Sequence, residues 1–255
     1  MNININNDLL YLTVLPFGIS LTISIILRFL KINIISKVGY SSPIISIIIS
    51  YFIYFSLPEW PVNEKEIVFY IIIISAIISI IVDLLMKPDS LIRRVFIVAA
   101  PLLALVWISS NTNTEFINLF DISIFIITFI IYIIIGFTLA DKDLDDQQTP
   151  LLISMFVIGV GILANSIGEK YMFYLSVIIF SSIIGFHLVN WPKKFYTNSN
   201  VLLGLSTPIL SLAALLALNS KINPFSILLM AVIFFIEKII IMPIGHSRSS
   251  KLIKT

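Results

Sequence analysis

The stretch IVFYIIIISAIISIIVDLL, residues 67–85, contains a single charge, Asp83, and otherwise little but Ile, Leu, Val, Phe and a few Ser. A helix of that length rises about 28 Å at roughly 1.5 Å per residue, close to the roughly 30 Å hydrocarbon core of a bilayer. Outer-membrane strands alternate polar with apolar residues, and this run does not. It therefore predicts a transmembrane helix. Working outward, the same reading applies eight more times. The nine expected spans are Leu9 to Leu30, Val38 to Leu57, Ile67 to Leu85, Leu91 to Ser109, Phe116 to Ala140, Leu151 to Ile167, Tyr171 to Trp191, Val201 to Leu218 and Phe225 to Ile244. The fold class this implies is an all-α, polytopic transmembrane bundle, with the whole chain of 255 residues as one integral membrane domain.

Composition agrees. Hydrophobic residues make up 58% and charged residues 12%, against roughly a quarter charged in an ordinary soluble chain, and mean hydropathy is +1.06. That little charge cannot coat a water-facing surface. The net charge of +2 leaves no basic face for nucleic acid. With no cysteine, disulfides, thiolate zinc sites, iron–sulfur clusters and thiol catalysis are all excluded. The first span is expected to stay as a helix: Met1 to Asp8 lacks Lys and Arg, and the apolar run is longer than the core of a cleavable signal.

Short cytoplasmic loops retain Lys and Arg, so the cations orient the bundle. Arg28, Lys31, Lys37, Lys87, Arg93, Arg94, Lys142, Lys193, Lys194, Arg248, Lys251 and Lys254 fall on one side of the alternation, and Lys65, Lys170 and Lys221 on the other. The expected topology has the N-terminus outside and the C-terminus in the cytoplasm, as a multi-pass protein of a bacterial cytoplasmic membrane. Trp60, Trp107 and Trp191 fall at or near span ends, where aromatic residues prefer the headgroup boundary. Tyr132 instead lies mid-span, where its hydroxyl needs a partner in another helix or in a wet cavity. No internal repeat is visible, and nine spans do not divide into two inverted halves.

Helix association in lipid depends on small residues that allow close approach. Gly161, Ala164 and Gly168 form such a stripe in the sixth span, as do Gly204, Thr207, Ser211 and Ala214 in the eighth. Ser42, Ser46 and Ser50, and Thr128, Tyr132, Gly136 and Ala140, recur every four residues on one face. These hydroxyls are read as bonding to their own helix's carbonyls, with a lined solute path as the alternative. Pro16, Pro101 and Pro208 lie inside spans and should kink them. Leu15-Pro16-Phe17-Gly18 and Gly204-Leu205-Ser206-Thr207-Pro208 are candidate broken points that expose backbone groups.

Ionisable groups inside a bilayer are costly and so become candidates for function. Glu237 is the deepest, on the order of 10 Å from the inner boundary at 1.5 Å per residue; a carboxyl there suits proton or cation coupling. Asp83 ends a Ser75, Ser79, Asp83 stripe near Lys87, a residue that can pair with it. The substrate or coupling candidates are Glu237, Tyr132 and Asp83. His187 and His246 are too few for a zinc site. The densest polar run is Asp141-Lys142-Asp143-Leu144-Asp145-Asp146. Clustered carboxylates of that kind can hold Mg²⁺ and through it a diphosphate.

This loop faintly resembles the second Asp-rich motif of the intramembrane aromatic prenyltransferases. The resemblance implies Mg²⁺ on Asp141, Asp143, Asp145 and Asp146 acting on a lipid-linked substrate. Their first Asp-rich motif has no counterpart here. Three function classes therefore stay open: a transport or permeation protein for a small solute, which the intra-span polar residues favour; a Mg²⁺-dependent membrane enzyme; and a non-catalytic assembly subunit. On the leading reading no cofactor is expected, the bilayer is the partner, and the chain is not an enzyme.

Overall fold

The computed structural model describes residues 8, 10–29, 41–55, 58, 66–85, 90–111, 126–131, 133–134, 148–190, 200–218 and 223–232. Every element among them is helical. A π-helical turn, Leu10–Val14, leads into α1 (Leu15–Phe29); then come α2 (Ser42–Phe55), α3 (Ile67–Leu85), α4 (Leu91–Asn111), α5 (Gln148–Ser166), α6 (Lys170–Asn190), α7 (Asn200–Leu218) and α8 (Pro224–Ala231). The first four expected spans correspond to α1 to α4 and the sixth to eighth to α5 to α7. Of the expected fifth span, residues 126–131 and 133–134 are described, in helical backbone; α8 begins the ninth.

Local chemistry sets several boundaries. α8 starts where the Asn223 side chain accepts from the Phe225 N–H at 3.1 Å, with Pro224 placed where no N–H is needed. α5 ends in a Schellman turn: Gly168 takes φ +80°, its N–H bonds to the Asn165 carbonyl, and the Glu169 N–H reaches back to Ala164. This corrects the expected role of Gly168, which turns the chain and is not part of the packing seam. Its i+7 spacing from Gly161 matches the stripe only by coincidence. Ahead of α1, the bonds of a π-turn join residue i to i+5 and so step past the N–H that Pro16 lacks.

Two helices organise the packing. α6 packs most extensively against α5 and α1, and also against α2; α7 packs against α3 and α4, with further contacts to α5 and α8. α7 is buried on all sides from Gly204 to Ala217. α5 is buried on one face only, through Ile153, Phe156, Val157, Val160 and Ala164. Its opposite face, Leu151, Met155, Ile158 and Ile162, is exposed. Leu10–Phe29 and Lys170–Val189 are each long and apolar enough to cross a membrane, and the latter is mostly buried in the bundle. The outward faces are as apolar as the core: Phe29 is 79% exposed, Leu91 75% and Ile77 53%.

Candidate functional site

Polar groups in the described interior are almost all hydroxyls, and they gather where helices touch. Between α1, α2 and α6 lies a serine seam. The Ser24 and Ser42 hydroxyls are 2.7 Å apart, Ser46 donates to the Pro16 carbonyl at 2.6 Å, and Ser46 and Ser182 hydroxyls lie 3.2 Å apart. Ser42 and Ser46 thus reach across helices, in contrast to the expected bonding within their own helix. The expected pattern does occur elsewhere, at Ser176, Ser182 and Ser211, which bond to the carbonyl four residues back. Close approach at the seam depends on Gly185, where an added Cβ would lie 2.5 Å from the Phe17 carbonyl oxygen. Ser20 and Ser50 flank this seam fully buried, with hydroxyls that have no partner among the described residues.

The second polar junction is the broken point of α7. Pro208 has no N–H, so the carbonyl of Gly204, four residues earlier, loses its usual donor. Ser75 on α3 lies beside it: its hydroxyl donates to the Ile72 carbonyl of its own helix at 2.9 Å and makes a longer contact, 3.4 Å, to the Gly204 oxygen. Gly204 lets α7 come this close, since a Cβ there would overlap the Ile44 methyl and sit 3.0 Å from the Ser79 hydroxyl. The Ser75–Ser79 stripe of α3 and the Gly204–Ser211 stripe of α7 therefore face each other. Beside this junction a groove of about 180 Å³ opens outward between α3 and α4, with Ser75 and Thr207 at its floor and Ile78, Phe96, Leu103 and Trp107 on its walls.

A third cluster closes the end where α1 begins, α2 ends, and α3 and α6 begin. Tyr51 stacks on Phe69 with centroids 4.0 Å apart, and its hydroxyl is 3.0 Å from that of Tyr171. Tyr54 packs edge-on to Tyr174, its hydroxyl 3.5 Å from the Asp8 carboxylate. Tyr51 and Phe69 are almost wholly buried, so the rings pack on one another.

Of the residues singled out from sequence, Asp83 lies near the end of α3, one turn beyond Ser79. Tyr132, Glu237, Asp141, Asp143, Asp145 and Asp146 lie outside the described residues. His187 is described, half-buried near the end of α6. Among the described residues no group of three or more His, Cys, Asp or Glu stands close enough to hold a metal. The sequence reading missed Ser24, Ser182 and Gly185 as seam residues. The signal available for Ser182 and Gly185 was the density of small residues in the seventh span, scattered over several faces; for Ser24 it was the Ser20–Ser24 spacing in the first. Comparison of the chain with protein-family models, with curated proteins and with solved structures finds no match.

Proposed function

We propose that the chain is a multi-pass membrane protein that passes a small neutral or protonated solute through its helix bundle. The membrane part is supported by the distribution of side chains among the described residues: Ile, Leu, Val and Phe lie on the outside while most Ser and Thr within the helices are buried. In water such an exterior would be a continuous aggregation surface; in hydrocarbon it costs nothing. The meeting of four helix ends at the tyrosine cluster fits the same alternation. The observation that carries the passage reading is the set of buried hydroxyls without partners among the described residues, Ser20, Ser50 and Ser206. Leaving such a group unpaired costs about 1–3 kcal/mol, and a polar solute bonded to it would remove that cost.

The test separates passage from packing. In proteoliposomes, stopped-flow swelling with glycerol and urea, and collapse of an imposed pH gradient, measure the two kinds of flux. Ser20→Ala and Ser50→Ala should leave thermal stability equal or higher, since each removes an unpaired polar group, yet lower solute flux severalfold. Glu237→Gln should abolish any proton-linked component at a normal protein level. Flux no greater than in protein-free vesicles, or flux indifferent to Ser20→Ala and Ser50→Ala, would remove the reading. A Mg²⁺-dependent turnover lost with Asp141, Asp143, Asp145 and Asp146 would put the enzyme in its place.

A further inference from the structure

The serine seam holds more contacts than hydrogens. A serine hydroxyl has one hydrogen to donate and two lone pairs to offer. Ser46 gives its hydrogen to the Pro16 carbonyl of α1 at 2.6 Å, and Ser182 gives its own to the Ile178 carbonyl at 2.9 Å. The 3.2 Å contact between these two hydroxyl oxygens is therefore left without a hydrogen to fill it. Neighbouring groups add to the excess of acceptors. Gly185 stands one turn beyond Ser182 on the same face of α6, and with no side chain it leaves the Phe17 carbonyl oxygen bare, 2.5 Å from where a Cβ would lie. Ser20 follows Pro16 by one turn of α1 and faces the same glycine, its own Cβ 3.2 Å from that point. Its hydroxyl is fully buried and without a partner among the described residues. A hydroxyl in that position can turn its hydrogen back to a carbonyl of its own helix and its lone pairs inward.

Oxygens with lone pairs to spare thus stand together where three helices cross, an arrangement that replaces the hydration shell of a cation. None of them is a carboxylate, the group on which Ca²⁺ and Mg²⁺ sites are built, so a single positive charge suits the set. Backbone carbonyls at an interrupted helix are recurrent Na⁺ ligands in membrane proteins, and the π-turn and Pro16 interrupt the start of α1 here. Gly185 draws α1 against α6, which favours Na⁺ over the larger K⁺. We propose that this crossing binds one Na⁺ through the carbonyls of Pro16 and Phe17 and the hydroxyls of Ser20, Ser46 and Ser182. The proposal deepens the passage reading and rests on it for the ion's role, since Ser20 stands on the proposed solute path. Binding itself is measured without flux, so each can fail alone.

The full chain, purified in detergent, is titrated with NaCl, KCl and choline chloride at constant ionic strength. Unfolding temperature and equilibrium binding of radioactive Na⁺ are the readouts. Expected is saturable binding of one Na⁺ per chain, with an unfolding temperature that rises more in Na⁺ than in K⁺ and does not rise in choline. Ser20→Ala removes an unpaired group and so keeps the fold, yet should weaken Na⁺ binding about tenfold, the change expected from losing one bond to a charged group. Ser46→Cys keeps a donor for the Pro16 carbonyl but exchanges a hard oxygen for a soft sulfur, and should weaken Na⁺ at least as much. If Ser46→Cys does not fold, Ser20→Ala alone decides. Ser211→Ala, at a serine of α7 that bonds within its own helix, is the control and should bind as the unaltered chain does. Equal unfolding temperatures in the three salts, or a Na⁺ affinity unchanged by Ser20→Ala, overturn the Na⁺ site, and glycerol or urea flux measured alongside then leaves the passage reading in place. Na⁺ binding as expected in a chain without solute flux supports the site and removes the passage reading.

Discussion

Gly18 and Gly185 are both helical glycines, yet their surroundings make opposite demands. At Gly18 an added Cβ meets nothing within 4 Å, whereas at Gly185 it would press on the Phe17 carbonyl at 2.5 Å and on Ser20 at 3.2 Å. The obstacle at Gly185 is backbone, so relief requires α1 and α6 to separate. Gly185→Ala should therefore destabilise by about 1–3 kcal/mol, the usual cost of overpacking. Gly18→Ala should be neutral or stabilise by about 0.5–1 kcal/mol through helix propensity. Thermal unfolding of the detergent-solubilised protein measures both, and equal effects at the two positions would contradict the seam geometry. Neither role was legible in the sequence. In a chain this uniformly apolar a glycine on an outward face reads like one wedged against a neighbour, because no contrast between polar and apolar positions marks the buried side of the helix.

At the scale of elements, the break in α7 was legible and what stands beside it was not. Gly204 and Pro208 mark where a backbone bond must be missing, but only the fold brings Ser75 of α3 to the orphaned carbonyl. If that hydroxyl replaces the lost bond, Ser75→Ala should cost about 1 kcal/mol in the native helix. It should cost clearly less alongside Pro208→Ala, which restores an N–H four residues beyond Gly204. A double-mutant cycle should then give a coupling of about 0.5–1.5 kcal/mol, and strict additivity would show that Ser75 serves only Ile72. The ends of α3 were legible for a related reason. α3 runs from Ile67 to Leu85, the residues at which the apolar run begins and ends. The central position of α6 was not, because Ser176 meets α5, Ser182 meets α2 and Gly185 meets α1, and so they fall into no single stripe.

At the scale of the whole molecule, the proposed membrane reading makes orientation a matter of charge and helix pairing together. The starts of α1, α3 and α6 and the end of α2 meet in one aromatic cluster through Asp8, Phe69, Tyr171 and Tyr54. Those four ends must share a side of any bilayer the bundle crosses. Lys and Arg are sparse in the segments assigned to that side, with Lys65 and Lys170 closest, and dense at the opposite ends, at Arg28, Lys31, Lys37, Lys87, Arg93 and Arg94. On the proposed membrane reading, cytoplasmic retention of cations would put the tyrosine cluster outside. Reporter fusions after Lys37, Glu64 and Thr255 should accordingly read inside, outside and inside. The result at Glu64 carries the most weight, because it follows from the shared helix ends as well as from the cations. An inside reading there would mean that α1 and α2 do not both cross, since the ends joined by Tyr54 and Asp8 would then lie in the cytoplasm with the cations. An outside reading at Thr255 with the other two as expected would leave the crossing by α2 in place and change the parity of the crossings between Glu64 and the C-terminus, in the part of the chain that runs from α3 through the expected fifth and ninth spans.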